Sequence, residues 1–230
     1  MRVLAIETAT TVCAAAVVSE GRILSEASLD EKYAHAEKLM GQVDTVLDRC
    51  GLSLHQLDGI AVSIGPGSFT GLRIGLSVAK GLSFASGRKV IPVPTLQALA
   101  QRVSDGRIAQ SGEYILAALD ARRDEVYSQF FRVEHGYAAS LSDPHDVSVS
   151  ALWNDAPEGN IWITGDARSK LQPALGSADS RRSFVPAAIA CCSAGAVGLL
   201  GEVLMAKNEI VDTASLEPLY IKEFFFRQRS

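Results

Sequence analysis

Two acidic residues at the ends of apolar segments are the first candidates for chemistry in this sequence. Glu7 follows the run Val3–Ile6, and Asp120 follows the run Tyr114–Leu119. Carboxylates at strand ends can hold Mg²⁺, which prefers oxygen ligands and keeps several waters. Acidic side chains in this position also commonly cap turns. The sequence therefore leaves both roles open for Glu7 and Asp120.

Asp120 begins a segment, Asp-Ala-Arg-Arg-Asp-Glu, in which five of six residues are charged. Arg122 and Arg123 could bind a phosphate through paired hydrogen bonds from their guanidinium groups. They could equally pair with the neighbouring carboxylates in a solvated turn. A position at the mouth of a cleft between two lobes would favour the anion-binding role.

Other patterns of catalytic or metal-binding residues are missing from the sequence. The histidines form no His-Glu-x-x-His pair and the cysteines no Cys-x-x-Cys pair; they are His35, His55, His135, His145, Cys13, Cys50, Cys191 and Cys192. There is also no Gly-x-Ser-x-Gly nucleophile turn. We therefore expect this chain to contribute no catalytic residue and no metal site.

A glycine-rich loop, Gly65-Pro66-Gly67-Ser68-Phe69-Thr70-Gly71, precedes a predicted helix. Backbone N–H groups at a helix N-terminus can hold an anion. The loop matches neither of the two common phosphate-binding patterns, because no lysine follows its last glycine and the spacing is not Gly-x-Gly-x-x-Gly. A tight strand-to-helix turn, capped by Ser68 or Thr70, explains it as well.

The helix predicted from Phe69 to Ser86 has only two charged residues, Arg73 and Lys80. A helix that is apolar or small nearly all round is covered on both sides. Gly71, Gly75 and Ala79 recur at every fourth position and form a stripe against which another helix could pack closely. We predict a partner interface on this helix and the preceding one, and the alternative is an internal core helix. The predicted interface residues are Leu39, Val43, Gly71, Ile74, Gly75, Val78 and Leu82.

The pattern of elements predicts two similar halves. Three short strands joined by turns precede a helix at 34–50, a buried strand at 59–64, the long helix, another strand and a helix at 96–103. Tyr114 begins a second meander, and Ala187–Lys207 is predicted as the last long helix. This duplicated βββαβαβα order is typical of the actin, sugar-kinase and Hsp70 fold. We expect a first lobe at 1–103 and a reduced second lobe at 104–230, with a C-terminal segment that packs back on the first.

The composition is that of a globular protein. The chain has 230 residues, of which 47% are hydrophobic and 21% charged, and its net charge is −4. This excludes a disordered chain and argues against autonomous nucleic-acid binding, which usually needs a basic surface. Four isolated cysteines fit a reducing compartment, and no apolar run is long enough to span a bilayer. We expect a cytoplasmic protein without a membrane partner.

The sequence resembles the TsaB (YeaZ) family of bacterial tRNA threonylcarbamoyladenosine biosynthesis proteins. The resemblance lies in the run from Gly65 through Gly71 to Gly75, in Ile6-Glu7-Thr8-Ala9, in Pro94-Thr95-Leu96, in the segment from Asp120 to Tyr127, and in Pro218-Leu219-Tyr220. It implies an actin-like fold with two lobes. It also implies a non-catalytic subunit that pairs with TsaD, or with itself, through helices of the first lobe.

The family resemblance further implies which reaction the chain supports. With TsaD and the ATPase TsaE, it would take part in transferring threonylcarbamoyl from threonylcarbamoyl-AMP to N6 of an adenosine. That adenosine lies 3′ of the anticodon in tRNAs that read codons beginning with A. ATP and metal would belong to the partner subunits, and tRNA would be bound only through the complex.

Two departures from the pattern of actin-like ATPases agree with a non-catalytic role. These ATPases have an Asp-x-Gly-[Ser/Thr] turn after the first strand, whereas Glu7-Thr8-Ala9-Thr10 has no glycine. In place of a glycine-rich second turn, Asp120 is followed by Ala121, Arg122 and Arg123, whose side chains hinder close backbone approach.

The competing hypotheses are a peptidase of the glycoprotease type and an independent kinase of the same fold. The aromatic and basic tail at 222–229 is predicted to pack on the fold or on a partner.

Overall fold

The chain folds into two mixed sheets in the computed structural model, which describes residues 1–31, 35–175 and 180–221. In the first sheet the strands lie in the order β3-β2-β1-β4-β5. They are β1 (Arg2–Glu7), β2 (Val12–Ser19), β3 (Arg22–Asp30), β4 (Gly59–Gly65) and β5 (Lys89–Pro94). β1 is antiparallel to β2 and parallel to β4, so the sheet combines a meander with two crossover strands.

The second sheet repeats this order, β11-β10-β6-β7-β8, and β9 pairs with β7. Its strands are β6 (Tyr114–Asp120), β7 (Glu125–Glu134), β8 (Tyr137–Ser140), β9 (His145–Ser148), β10 (Ile161–Thr164) and β11 (Arg182–Phe184). β6 is antiparallel to β7 and parallel to β10, as β1 is to β2 and β4. The duplicated α/β, actin-like architecture is therefore confirmed. Between β8 and β10 the described chain has β9 and turns instead of a helix, so the second lobe is reduced.

Helices cover both faces of the first sheet because consecutive residues of its central strand, Val3–Ile6, are all apolar and buried. The α-helices of the described chain, in both lobes, are α1 (His35–Cys50), α2 (Phe69–Ser86), α3 (Thr95–Asp105), α4 (Arg168–Ala174), α5 (Ala187–Ala190) and α6 (Ala194–Ala206). Those on the first sheet include α1, α2 and α6. Leu4 and Ile6 of β1 point toward α1 and α2, whereas Val3 and Ala5 point toward α6. Successive strand residues alternate between faces, so this one strand supplies two core layers. No helix in the described ranges is long and apolar enough to cross a membrane.

The prediction of one continuous helix at 187–207 is wrong. Cys191 adopts extended backbone, which separates α5 from α6. Ser193 is the N-cap of α6 and accepts a hydrogen bond from the backbone N–H of Ala196. Serine is a common N-cap residue, so Ser193 is a signal for a new helix start. The apolar residues on both sides of Ser193 instead favoured the prediction of a continuous helix. The break leaves α6 on the first sheet, although it follows the second sheet along the chain.

Glu26 of β3 fixes the start of α6. Its Oε1 accepts hydrogen bonds from the Ser193 hydroxyl at 2.9 Å and from the Gly195 N–H at 3.1 Å. Because both bonds go to one carboxylate at a helix N-terminus, we expect Glu26→Ala to lower the free energy of unfolding by about 2 kcal/mol. Urea denaturation would measure this, with Glu209→Ala as the control. An equal effect of both substitutions would show that the cap is unimportant.

The predicted boundary between residues 103 and 104 stays a prediction.

Candidate functional site

The small-residue stripe of α2 faces inward. A Cβ atom at Gly71 would overlap the carbonyl oxygen of Thr8, and one at Gly75 would overlap the Thr8 hydroxyl. Ala79 continues the stripe and is fully buried in the core. The prediction that this stripe receives a partner helix is therefore wrong. The stripe instead lets α2 pack directly against the turn between β1 and β2.

Five of the predicted interface residues are buried within the chain itself. Gly71 and Gly75 meet Thr8, and the other three belong to the core beneath the two helices: Leu39, Val43 and Leu82. Their side chains cannot reach a partner because α1 and α2 lie side by side on the first sheet. Ile74 and Val78 are half-buried and line a groove between the two helices. Only these two of the predicted seven are open to another molecule.

The outward face of α2 carries different residues from the ones predicted. Phe84 is 94% exposed, although phenylalanine is usually among the more buried side chains. Ser77 and Gly81 lie on the same face, and a Cβ atom at Gly81 would meet nothing within 4 Å. Met40 of α1, 42% exposed, adds another apolar side chain. We call these exposed residues, with Ile74 and Val78, the outer helix face. In the sequence, the small residues Ser77 and Gly81 were the signal that could have identified this outward face of α2.

The turn between β1 and β2 is covered by the glycine-rich loop that precedes α2. The backbone N–H of Ser68 donates to the carbonyl oxygen of Ala9 at 2.7 Å. A Cβ atom at Gly67 would overlap that same oxygen, so only glycine lets the loop before α2 approach the turn. Ser68 also caps α2, accepting from the Gly71 N–H at 3.2 Å, as predicted. The glycine-rich loop thus packs on the β1–β2 turn and covers it.

Glu7 lies beneath this cover and is fully buried. Its Oε1 accepts a hydrogen bond from the Ala9 N–H, whereas Oε2 has no hydrogen-bond partner among the described residues. Burial raises the pKa of Glu7 from 4.5 to about 7, against the lowering effect of hydrogen bonds from Ala9 and Ser63. The carboxylate therefore caps its own turn, and solvent does not reach it.

Asp120 is engaged by the chain in a different way. Its Oδ1 contacts the Lys170 ammonium group at 2.6 Å and accepts a hydrogen bond from the Arg122 N–H at 2.6 Å. Partial burial alone would raise the pKa of Asp120. The hydrogen bonds and positive charges of Lys170 and Arg122 outweigh that effect and hold the pKa below its usual range. Asp120 is thus an ion-pair partner that also caps its turn.

The buried Cys192 thiol is influenced by acidic residues of both sheets. Asp166, which follows β10, accepts a hydrogen bond from the Asp120 N–H at 2.7 Å. Burial raises the pKa of the Cys192 thiol well above its usual value, and the negative charges of Glu7 and Asp166 raise it further. Charges from both sheets therefore act on Cys192, because Glu7 ends β1 and Asp166 follows β10. No group of three metal-binding side chains occurs in the described part of the chain. Asp166 carried no sequence signal.

Arg122 and Arg123 lie in the turn between β6 and β7, directly after Asp120 and Ala121. Both are exposed, and neither forms an ion pair within the described ranges. Arg122 contributes only its N–H and its charge to Asp120. The alternative in which both arginines pair with neighbouring carboxylates is therefore not what the structure shows.

The segment before the C-terminal tail contacts the start of α2. Leu219 N–H donates to the Ile64 carbonyl oxygen at 2.7 Å. The Tyr220 ring lies 5.2 Å from that of Phe69, and its hydroxyl accepts a hydrogen bond from Arg73 Nε at 2.9 Å. The tail at 222–229, for which packing was predicted, lies outside the described residues.

Comparisons with known proteins agree on one family. Residues 22–197 match the family model described as TsaD, tRNA N6-adenosine threonylcarbamoyltransferase. A Haemophilus influenzae protein named tRNA threonylcarbamoyladenosine biosynthesis protein TsaB is 27% identical, over 96% of this chain and 94% of that one. The Escherichia coli protein of the same name is 38% identical over 59% of this chain and 58% of its own. The solved structure of YeaZ from Pseudomonas aeruginosa has a TM-score of 0.81 and 28% identity, over 95% of this chain and 99% of that one.

Proposed function

The chain belongs to the TsaD family, and we propose that within this family it is the non-catalytic subunit of the TsaB type. A relative that aligns over 96% of the chain carries the TsaB name, in tRNA threonylcarbamoyladenosine biosynthesis. In this proposal the chain pairs with TsaD and acts with TsaE. The complex transfers threonylcarbamoyl from threonylcarbamoyl-AMP to N6 of the adenosine 3′ of the anticodon.

The observation that carries the proposal is that Glu7 and Asp120, the acids at the ends of β1 and β6, are both engaged by the chain itself. Glu7 is buried under the loop before α2, and its raised pKa disfavours the ionised form that a cation needs. Asp120 is occupied by Lys170. An actin-like ATPase needs open turns at these two positions so that phosphates can approach the backbone. ATP and metal therefore belong to the partner subunits in our proposal.

The outer helix face supports pairing through the first lobe. A phenylalanine that is almost fully exposed is costly in water, and aromatic side chains are enriched at the centres of protein interfaces. The neighbouring small residues Ser77 and Gly81 leave room for a partner helix to approach. We propose that TsaD covers this face, and that two copies of the chain cover it when TsaD is absent.

The experiment combines a pairing assay with a product assay. The purified chain is mixed with TsaD, and affinity and mass are measured by calorimetry and light scattering. We expect a homodimer that gives way to a heterodimer. Phe84→Ser should weaken pairing at least tenfold, about 1.4 kcal/mol, because an apolar anchor is lost. Leu141→Ser is the matched control, because Leu141 is 48% exposed but lies in the second lobe.

The product assay tests the non-catalytic role. With TsaE, threonylcarbamoyl-AMP and tRNA present, Glu7→Gln and Asp120→Asn should leave the yield of modified tRNA within twofold of wild type. A complete loss of product in either variant, with TsaD pairing intact, would contradict the proposal. So would turnover of a peptide by the purified chain, which would favour the glycoprotease-type peptidase instead.

A further inference from the structure

The turn between β6 and β7 has an unusual backbone for its sequence. Arg122 has φ 68° and Arg123 has φ 49°, so both are in the left-handed region. This region is disfavoured for side chains with a Cβ atom, and glycine or asparagine adopts it most easily. Two consecutive arginines with this backbone are costly to the fold.

Two other hairpin turns in the described chain, both shorter, also have two consecutive residues with left-handed backbone. The turn between β2 and β3 is Glu20-Gly21, and the turn between β7 and β8 is His135-Gly136. In both, glycine occupies the second left-handed position. The longer turn between β6 and β7 has arginine at both of its left-handed positions. Backbone preference therefore does not explain the choice of arginine there.

Interactions within the chain do not explain it either. Both side chains are exposed, and neither guanidinium is in an ion pair in the parts of the chain that are described. The carboxylate of Asp120, on which the charge of Arg122 acts, already contacts Lys170. The turn thus presents the guanidinium groups of two consecutive arginines to solvent, next to the strand end at Asp120.

We propose that Arg122 and Arg123 contact the phosphodiester backbone of the tRNA when the chain is in its complex. This inference rests on the proposed function, which places the chain beside tRNA. Guanidinium groups bind phosphate oxygens bidentately, and such contacts position a nucleic acid without reading its sequence. Because the chain has a net charge of −4, the contact adds to binding by the complex and does not make the isolated chain an RNA-binding protein.

The test separates backbone strain from charge with two double variants. Arg122→Asn with Arg123→Gly removes both the charges and the strain, whereas Arg122→Gln with Arg123→Gln removes only the charges. Arg22→Gln is the control, because Arg22 is an exposed arginine next to the Glu20-Gly21 turn. For each complex with TsaD we would measure the Kd for unmodified tRNA over a series of salt concentrations, and Tm for each isolated variant.

We expect the Asn-Gly variant to melt about 3 °C higher than wild type, because both residues tolerate the left-handed backbone. Both double variants should bind tRNA at least tenfold more weakly in the complex. The slope of log K against log salt should fall by about 2, which is the loss of two phosphate contacts. Arg22→Gln should change the Kd less than twofold.

Two outcomes would overturn the inference. One is an unchanged Kd and salt slope in both double variants. The other is that both variants lose their affinity for TsaD, which would assign the arginines to a protein contact. Failure of the proposed function is distinguishable from both, because then the wild-type chain itself would not pair with TsaD.

Discussion

Replacing Gly71 by alanine is expected to lower the free energy of unfolding by about 3 kcal/mol. The added Cβ atom would overlap the carbonyl oxygen of Thr8, which is backbone and cannot move aside by a change of rotamer. Either α2 or the β1–β2 turn must shift, and both pack on the same core. The usual gain from glycine to alanine in a helix, about 1 kcal/mol, is too small to offset this overlap.

Gly81 provides the matched control on the same helix. A Cβ atom there meets nothing within 4 Å, so Gly81→Ala should raise the free energy of unfolding by about 1 kcal/mol. Urea denaturation of both variants would measure the difference, which we expect to be about 4 kcal/mol between two chemically identical changes. Equal effects would mean that α2 does not rest on the β1–β2 turn.

The second large effect is expected from Glu7→Gln at alkaline pH. Burial raises the pKa of Glu7 to about 7, so the folded state holds a proton that the unfolded chain, with a pKa of 4.5, releases earlier. The resulting stability is fully present below pH 4.5 and is lost as the pH rises through about 7. The difference between these pKa values corresponds to about 3 kcal/mol.

Glutamine keeps the shape of the side chain and stays neutral. We therefore expect the variant to match wild type near pH 4.5 and to be more stable by about 3 kcal/mol above pH 8. Denaturation of both proteins across this pH range gives the comparison, and Glu209→Gln controls for loss of an exposed glutamate. A constant difference between Glu7→Gln and wild type at all pH values would show that Glu7 does not titrate in this way.

Local patterns were enough to predict the architecture. Short apolar runs separated by turn residues predicted both meanders, and the helical spacing from Leu39 to Cys50 predicted α1. The long helix ends at Gly87, which has the left-handed backbone of a C-cap, as the sequence indicated. These features depend on neighbouring residues, and the parallel order of the sheets then follows from the alternation of strands and helices.

The candidate site could not be predicted in the same way because it depends on contacts between distant segments. The sequence showed that Gly71 and Gly75 form a stripe, but not that Thr8 would lie against it. That contact follows from the parallel pairing of β1 with β4, which brings residues far apart in the sequence together. The engagement of Asp120 by Lys170 and Asp166 likewise requires β10 to lie beside β6. Turn capping by Glu7 and Asp120, one of the two roles left open, was the part that local chemistry could supply.

The position of α6 has a consequence for synthesis on the ribosome. The first sheet needs α6 to cover the face that carries Val3 and Ala5, and α6 is translated only after the whole second sheet. Until residues 194–206 emerge, this apolar face is covered only where Ala98 of α3 packs on it, and the part that α6 covers is open. We therefore expect the emerging first lobe to bind chaperones that recognise apolar surface, and to gain resistance to proteases only when α6 has left the exit tunnel.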